Sequence, residues 1–324
     1  MNKITRASNI DGQPHAGAWV ISDPDCLLLS SAQTYQAEHA AFESGIAADE
    51  VMEQAGKAVA QHVAQYLAQH YGLGQQLDMG ALDAVEIVVL AGPGNNGCDG
   101  YVAARHLKKQ GYSVCVMPLA GNTDTHWAAK SWHGEVASLD LGRVRQADVI
   151  IDALFGIGLQ RPLEGDAALL VEAANQSDGY RVAVDIASGV SADTGAVLGT
   201  AFQAHATVTF IAKKPGHVIA PGRFLCGGVA GVQLVPVGVP QSYVLDETPD
   251  TYLNTPSLWG AFYPHSGPVT HKYNRGSIVV LGGEAPTLGA SRLAAMAALR
   301  VGAGLVTLLA PESSYIVQAT ALSD

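Results

Sequence analysis

The 324-residue sequence has few cysteines, few basic residues and no long apolar run. Its four cysteines, Cys26, Cys98, Cys115 and Cys226, are far apart and form no CxxC pair, so neither a zinc site nor a disulfide framework is indicated. No apolar stretch approaches the roughly 18 residues that span a bilayer, and no apolar leader follows Met1. We therefore expect a soluble, cytoplasmic protein without a membrane partner.

Positive charge is also scarce, with 18 lysines and arginines against 29 aspartates and glutamates and a formal net charge of −11. General electrostatic attraction to nucleic acid is therefore not expected, and anionic ligands must be bound locally. In contrast, 48% of the residues are hydrophobic, 36 are glycine and only 15% are charged. This composition is typical of a globular α/β enzyme and excludes disorder as the main state.

Short apolar runs alternate with helix-length stretches along most of the chain. This alternation predicts a Rossmann-like, doubly wound, mostly parallel sheet, because parallel neighbours need crossover helices. The predicted strands are 87–90, 112–117, 149–151, 182–184, 207–211 and 229–237. The predicted helices are two within 32–67, separated near Gly45, and one each at 101–110 and 166–176.

The chain divides into four predicted segments. Residues 1–30 lack periodicity and are predicted to be an irregular lead-in, 31–240 to be the main domain, and the Pro-, Ser- and Thr-rich 241–268 to be a linker. A strand at 277–281, a helix at 290–300 and a strand at 305–309 then predict one βαβ unit of a second, incomplete α/β domain over 269–324.

A glycine-rich loop follows the first predicted strand, with Gly92, Gly94 and Gly97 in G-x-G-x-x-G spacing before a helix. Such a loop lets backbone amides and a helix N-terminus bind a phosphate, although a plain tight turn also uses glycine. A nicotinamide dehydrogenase would carry an acidic residue about 20 positions later. The sequence there, Val-Cys-Val-Met-Pro over 114–118, has none, which disfavours that class.

Polar side chains follow three of the predicted strands where each strand ends. Because the carboxyl ends of parallel strands lie side by side, we expect these side chains to converge, although each aspartate alone could simply cap a loop. Their oxygens suit a hard cation. Two cations flanked by Pro or Gly, Arg161 and Lys214, could contact ligand phosphates or be solvated surface charges. The converging set is Asn95, Asn96, Asp99, Asp152, Asp185 and Ser188.

Six ordered motifs over about 32–240 resemble the NAD(P)H-hydrate epimerases, the N-terminal half of a bifunctional nicotinamide nucleotide repair enzyme. The motifs are Met-Glu-Gln-Ala-Gly at 52–56, the glycine-rich loop at 92–100, and the segments 152–163, 184–189, 192–195 and 207–216. Departures from the family pattern include Cys98 for a usual Gly, Ala187 for a usual Pro and Gln54 for a usual Asn.

The resemblance implies that the chain epimerises the R and S forms of hydrated NADH or NADPH. It implies Asp185 as the catalytic and substrate-contacting acid, and one K⁺ held by Asn96, Asp152 and Ser188. The remaining substrate contacts that it implies are two loops, Asn95, Asn96, Gly97, Cys98 and Asp99 in the first and Gly156, Ile157, Gly158, Leu159, Gln160, Arg161 and Pro162 in the second.

Residues 271–306 resemble the opening of the ADP-dependent NAD(P)H-hydrate dehydratase, which has a ribokinase-like fold. This resemblance implies substrate contact at Ala290, and ADP or ATP and a lyase activity for the complete second half. Tyr273 departs from a usual Gly, and the catalytic aspartate of that half would lie beyond Asp324.

The function predicted from the sequence is therefore epimerisation of a small-molecule substrate. The sequence allows a homo-oligomer but does not determine the oligomeric state. One alternative is a non-catalytic dinucleotide-binding module, which would bind the dinucleotide without turnover. The other is an NAD-dependent oxidoreductase, which would transfer hydride to an acceptor.

Overall fold

The computed structural model describes residues 5–8, 14–20, 26–70, 84–119, 127–247, 250–260, 263 and 267–321. The chain forms two compact units, Met1–Leu258 and Trp259–Asp324. Within the described ranges, no helix combines the length and the apolar character needed to cross a bilayer.

The first unit is built around a seven-stranded sheet in which all neighbours are parallel. Its strands are β4 (Glu86–Ala91), β5 (Ser113–Pro118), β6 (Glu135–Val136), β7 (Val149–Ala153), β8 (Tyr180–Val184), β9 (Ala206–Phe210) and β10 (Val232–Val235). They lie in the order β10-β9-β8-β7-β4-β5-β6. The order reverses between β4 and β7, the position at which open α/β sheets bind ligands. The predicted fold class is confirmed.

Helices cover both faces of this sheet. The described helices between residues 31 and 259 are α1 (Ser31–Glu43), α2 (Ala48–His70), α3 (Asn95–Lys109), α4 (Trp127–Lys130), α5 (Leu141–Gln146), α6 (Gly165–Asn175), α7 (Gly222–Leu225), α8 (Gly228–Gly231), α9 (Gln241–Asp246) and α10 (Pro256–Trp259). Alternate residues of β4 point to opposite cores. Ile87 and Val89 pack with α2 and α3, whereas Val88 and Leu90 pack with α5 and α6.

Two features fix where α1 begins and ends. Its first turn is closed by a capping box, in which Ser30 Oγ accepts from the Gln33 N–H and Gln33 Oε1 accepts from the Ser30 N–H. The helix ends before Gly45, whose φ of +102° turns the chain into α2, as the predicted break near this glycine requires.

Three stretches differ from the sequence-based expectation: the predicted strand 229–237, the lead-in 1–30 and the predicted linker 241–268. The predicted strand 229–237 is shorter, because Gly227 and Gly228 adopt positive φ and α8 precedes β10. The predicted irregular lead-in contains an antiparallel pair, β1 (Thr5–Ser8) with β2 (Pro14–Val20). Backbone pairing of this kind needs no hydrophobic period, so the pattern did not reveal it.

Part of the predicted linker folds with the first unit. Strand β11 (Thr251–Tyr252) pairs with β3 (Leu27–Leu28), and the Leu253 N–H donates to the Cys26 carbonyl at 2.8 Å. Val244 on α9 is buried in the same core as α1. The first unit therefore extends to Leu258 because these residues complete backbone pairing and core packing, whereas the composition of 241–268 suggested an open connection.

The second unit contains the predicted βαβ element. Its parallel strands are β12 (Ser277–Leu281) and β13 (Leu305–Leu309), joined by α11 (Gly289–Val301), and α12 (Tyr315–Ala321) follows. The observed strand bounds are those predicted, and the helix is longer by one residue at each end.

The core of the first unit makes a direct stability prediction at Phe202, which is fully buried and whose N–H donates to the Ser188 carbonyl. Phe202→Ala removes a large core side chain, so we expect the free energy of unfolding to fall by about 3–5 kcal/mol. Phe224→Ala is the matched control, because Phe224 is 70% exposed and should change stability by less than about 0.5 kcal/mol. Urea unfolding of both variants measures this; equal losses would place the core elsewhere.

Candidate functional site

A cavity of about 300 Å³ lies at the carboxyl ends of β4, β7, β8 and β9. Five parts of the chain line it: one face of α1, the glycine-rich loop with the start of α3, the loop after β7, the residue after β8, and the end of β9 with the segment that follows it. The lining residues are Thr34, Tyr35, Glu38, Pro93, Gly94, Asn95, Asn96, Asp99, Phe155, Gly156, Ile157, Gly158, Leu159, Asp185, Phe210 and Lys214.

The glycine-rich loop brings the start of α3 to this cavity. A Cβ on Gly92 would lie 1.7 Å from the Leu154 carbonyl oxygen, so only glycine allows the loop to approach the end of β7 this closely. Gly94 has φ +86° and precedes α3, whose first turn carries Asn95 and Asn96 into the lining. Backbone amides of this turn have no intrahelical partners and are available to an anion.

Two residues of the predicted first loop lie behind this surface. Gly97 and Cys98 are buried in the body of α3 and do not line the cavity. Cys98 occupies the position where the NAD(P)H-hydrate epimerases, which the sequence resembles, usually have glycine. Among the described residues, the non-glycine positions with positive φ are Asp185 and Ile211, so the Cys98 side chain packs in an ordinary helical conformation.

Asp185 follows β8 and projects its carboxyl group into the cavity from a left-handed backbone conformation, φ +65°. This conformation is fixed by its N–H, which donates to the Val208 carbonyl at 2.8 Å, and by its own carbonyl, which accepts from His217 at 2.9 Å. Aspartate tolerates this region better than most residues, and such strain concentrates at functional sites.

The Asp185 carboxylate is paired with a buried ammonium group. Lys214, whose side chain is 1% exposed, donates from Nζ to Asp185 Oδ1 at 2.5 Å, and Thr209 Oγ1 donates to the same oxygen at 3.0 Å. Burial acts to raise the pKa of Asp185, but the charge and hydrogen bond of Lys214, with His217 and Thr209, lower it below its ordinary value. Asp185 is therefore held as the charged carboxylate.

This arrangement corrects one expectation for Lys214. Its Nζ also donates to the Phe210 carbonyl at 3.1 Å and to Thr209 Oγ1 at 2.9 Å, so the ammonium is directed at Asp185 and its surroundings rather than toward a phosphate. His217 Nδ1 accepts from the Lys214 N–H, which leaves Nε2 as the donor to the Asp185 carbonyl. Burial and the charge of Lys214 lower the pKa of His217 to about 3, so the ring is neutral.

A second carboxylate, Asp152, lies fully buried at the end of β7. Its oxygens accept from the Ser188 N–H at 2.8 Å, from Ser188 Oγ at 2.7 Å and from the Leu154 N–H at 3.2 Å. Burial raises the pKa of Asp152 to about 6, although these hydrogen bonds act to lower it. Within the described residues, no lysine or arginine pairs with this carboxylate.

Asn96 has a buried side chain that also needs a partner. Both its Oδ1 and its Nδ2 are buried without a hydrogen bond in the part of the chain that is described. Its Oδ1 lies 3.1 Å from the point where a Cβ on Gly156 would stand, and the preceding Phe155 N–H donates to Ser188 Oγ at 2.9 Å. Asn96, Asp152 and Ser188 therefore flank one short segment, and their donor set of amide, carboxylate and hydroxyl oxygens fits a hard cation such as K⁺.

Two more carboxyl groups face the cavity, Glu38 from α1 and Asp99 from α3. Burial, followed by the negative charge of Asp185, raises the pKa of Glu38 to about 7. Burial, Asp185 and Glu38 raise the pKa of Asp99 well above its usual range. In the described ranges, no three His, Cys, Asp or Glu side chains come together as a metal-binding group, so these carboxyls surround the cavity without converging on one point.

Sequence reasoning did not identify the α1 wall, formed by Thr34, Tyr35 and Glu38. Thr34 and Glu38 are four residues apart and therefore share a helix face. Tyr35 Oη lies 2.8 Å from where a Cβ on Gly158 would stand, so α1 covers the loop after β7. A polar residue on the apolar face of a predicted helix is the signal that would have found Glu38.

The remaining predicted site residues lie elsewhere. Gln160, Arg161 and Pro162 are exposed and outside the cavity lining, because the chain turns away after Leu159. Ala290 is exposed in the first turn of α11, in the second unit.

The buried ion pair makes a testable prediction. Lys214→Met leaves the Asp185 charge without its cation, so we expect a loss of about 3–5 kcal/mol in unfolding free energy near neutral pH. Because the pKa of Asp185 is lowered in the folded chain, the ion pair stabilises the fold fully at pH values above the ordinary aspartate pKa. The difference in unfolding free energy between wild type and Lys214→Met should therefore shrink as the pH falls below that ordinary pKa and through the lowered one.

Urea unfolding measures the effect, with Lys109→Met at the end of α3 as the control. The double variant Asp185→Asn with Lys214→Met should recover part of the lost stability, because it removes both charges. Additive losses in the double variant would contradict the pairing.

Comparison with known proteins places the first unit in a family. A family model described as "YjeF-related protein N-terminus" matches residues 48–216. The crystal structure of yeast ynu0, YNL200c, superposes with a TM-score of 0.56 at 23% identity, covering 70% of this chain and 97% of that one, which supports the same fold.

Proteins with the name bifunctional NAD(P)H-hydrate repair enzyme Nnr are similar over much of the chain. The Thermosynechococcus vestitus protein is 32% identical over 88% of this chain and 55% of its own length. The Coxiella burnetii protein is 35% identical over 90% and 58%, and the Escherichia coli protein is 36% identical over 70% and 45%. The chain thus spans about half the length of the curated relatives it matches. Because the family model matches residues 48–216, we conclude that the chain belongs to the YjeF-related protein N-terminus family.

Proposed function

We propose that the chain interconverts the R and S forms at the hydrated carbon of damaged NADH or NADPH. The observation that carries this proposal is a charged aspartate, Asp185, in a cavity at the reversal point of a parallel sheet, opposite the amide-rich start of α3. The name of the similar proteins, NAD(P)H-hydrate repair enzyme, supports the same substrate class.

The lining residues suggest how the dinucleotide is bound. The amides before and within the first turn of α3, near Asn95 and Asn96, would bind a phosphate group, and the backbone of Gly156–Leu159 forms the facing wall. Asp99 would contact the substrate from α3. Contacts at Gly97, Cys98, Gln160, Arg161, Pro162 and Ala290 remain proposals that need movement or further parts of the protein.

Asp185 would take and return the proton that epimerisation requires. Lys214 and Thr209 hold one of its oxygens, Oδ1, whereas Oδ2 lies 3.1 Å from the Cβ position of Gly156 on the cavity side. A carboxylate fixed in this way is charged before the substrate arrives, so it needs no reorganisation to accept a proton.

A potassium ion would be held by Asn96, Asp152 and Ser188. When bound, it would supply a positive charge beside the buried Asp152 carboxylate. The unpaired Asn96 side chain and the uncompensated Asp152 support this assignment. Ser188 would then connect the ion to the loop after β7, because its hydroxyl accepts from the Phe155 N–H.

Some parts of the proposal concern the complete protein rather than this unit. A lyase activity dependent on ADP or ATP would belong to the dehydratase half, of which 269–324 would be the beginning. We also propose a cytoplasmic location. Whether the chain forms a homo-oligomer is a separate question that a measurement of its mass in solution answers.

The proposed role of Asp185 predicts a large kinetic effect. Asp185→Asn should lower the rate of R/S interconversion by about 10²–10⁴-fold, because the amide cannot accept the proton. Chromatographic separation of the two epimers over time measures this, with Asp178→Asn, exposed near the opposite end of β8, as the control. Undiminished turnover in Asp185→Asn would contradict the assignment.

The same assay separates the alternative functions. Dinucleotide binding without interconversion by the unaltered chain would favour a non-catalytic module, and an absorbance change at about 340 nm with an acceptor, as for any reduced nicotinamide, would favour an oxidoreductase.

The potassium assignment predicts a stability effect that does not depend on turnover. Replacing a large organic cation by K⁺ should raise the Tm, by about 2–4 °C per kcal/mol of binding free energy for a domain of this size. Asp152→Asn should abolish the rise, whereas Asp166→Asn, in the first turn of α6, should keep it. A K⁺-dependent rise in Tm of equal size in Asp152→Asn would show that the ion binds at another site.

A further inference from the structure

Three carboxyl groups, from Glu38, Asp99 and Asp185, face the cavity, and the cationic side chain in its described lining is that of Lys214. Because the Lys214 ammonium lies on Asp185, the charge of Asp185 is compensated and those of the other two are not. Neighbouring like charges disfavour one another's ionisation, and burial disfavours the charged form of each carboxyl group. At least one of Glu38 and Asp99 must therefore carry a proton near neutral pH.

The two candidates differ in depth. Asp99 is buried in α3. Glu38 is only partly buried, it projects from α1, and it makes no hydrogen bond or ion pair within the described residues. Both carboxyl groups face the cavity, but Asp99 is the more deeply buried, so a proton on Glu38 is the more accessible of the two.

Resting on the proposed epimerisation, we propose that Glu38 is a further catalytic residue, the proton donor that works opposite the Asp185 base. The pairing of a carboxyl kept neutral with one kept charged is a recurrent way to obtain an acid and a base from the same side-chain type. Helix α1 fixes the donor in place, because the Ser31 N–H donates to Asp193 Oδ1 at 2.6 Å and Ser31 Oγ donates to the Ile157 carbonyl at 3.2 Å.

The proposed epimerisation opens the hydrated nicotinamide ring and closes it again. Asp185 takes the proton of the hydroxyl on the hydrated carbon, the oxygen electron pair forms a C=O bond, and the bond from that carbon to the ring nitrogen breaks. The released electron pair stays on the nitrogen, which takes the proton from Glu38. Rotation presents the other face of the carbonyl, and closure returns both protons, so no atom or electron is gained or lost.

The charged groups around Glu38 set the pH range of this role. Burial and Asp185 raise the pKa of Glu38 to about 7, and Lys214 acts to lower it. Tyr35 on the same helix and Asp99 on α3 also face it, and both are affected by its charge. On α9, which packs against α1, the charged residue is Asp246, and it is exposed. Glu38 is therefore a donor below about pH 7 and loses this ability above it.

The test uses Glu38→Gln in the full chain, with Glu43→Gln on the exposed side of α1 as the matched control. At pH 6 we expect kcat for R/S interconversion to fall by about 100-fold or more in Glu38→Gln, with KM little changed because glutamine replaces a neutral carboxyl of the same shape. Glu38→Asp should restore part of the rate, and Glu43→Gln should behave as wild type.

A second measurement compares pH profiles. Wild-type kcat/KM should fall as the pH rises through about 7, and the residual kcat/KM of Glu38→Gln should lack this decline. A wild-type rate that stays level up to pH 9, or a Glu38→Gln rate within about threefold of wild type, well short of the expected effect, would overturn the role of Glu38 alone. A wild-type chain that binds the dinucleotide but never interconverts the epimers would instead overturn the proposed function.

Discussion

The sheet places two carboxylates at the ends of the adjacent strands β7 and β8. Asp152 is fully buried and the Asp185 side chain is 13% exposed, and the surrounding residues compensate for the loss of solvent around both. An isolated buried charge is very costly unless it is paired, hydrogen-bonded or neutralised. The two carboxylates are compensated in different ways. Asp185 has the ammonium of Lys214, whereas Asp152 has backbone and hydroxyl donors from Leu154 and Ser188 but no positive charge among the described residues.

This difference connects the fold to the proposed chemistry. The Lys214 pair keeps Asp185 charged and oriented, which suits a base, and the uncompensated Asp152 beside the unpartnered Asn96 amide suits a monovalent cation. Both depend on strands that end side by side, since Ser188 reaches Asp152 only because β7 and β8 are parallel neighbours. The glycine-rich loop adds an amide-rich helix start at the same edge. One edge of the sheet therefore carries groups that can bind an anion, groups that can bind a cation and a group that can transfer a proton.

Much of this rim could be predicted from the sequence, because it lies where buried apolar runs end. The positions of Asp152 and Asp185 after β7 and β8, and of Asn95 and Asn96 at the start of α3, follow from strand pattern and glycine spacing. The partner of Lys214 could not be predicted, since it depends on the left-handed backbone of Asp185 and on the turn that brings Lys214 back after β9. The α1 wall was missed because contact between distant segments is set by tertiary packing, which local periodicity does not encode.

The most direct test is a crystal structure of the chain with Rb⁺ in place of K⁺ and with hydrated dinucleotide bound, recorded at the rubidium absorption edge. We expect an anomalous peak shared by Asn96, Asp152 and Ser188, with the hydrated ring between Asp185 and Glu38. An anomalous peak elsewhere, or a dinucleotide whose hydrated ring lies outside this cavity, would contradict it.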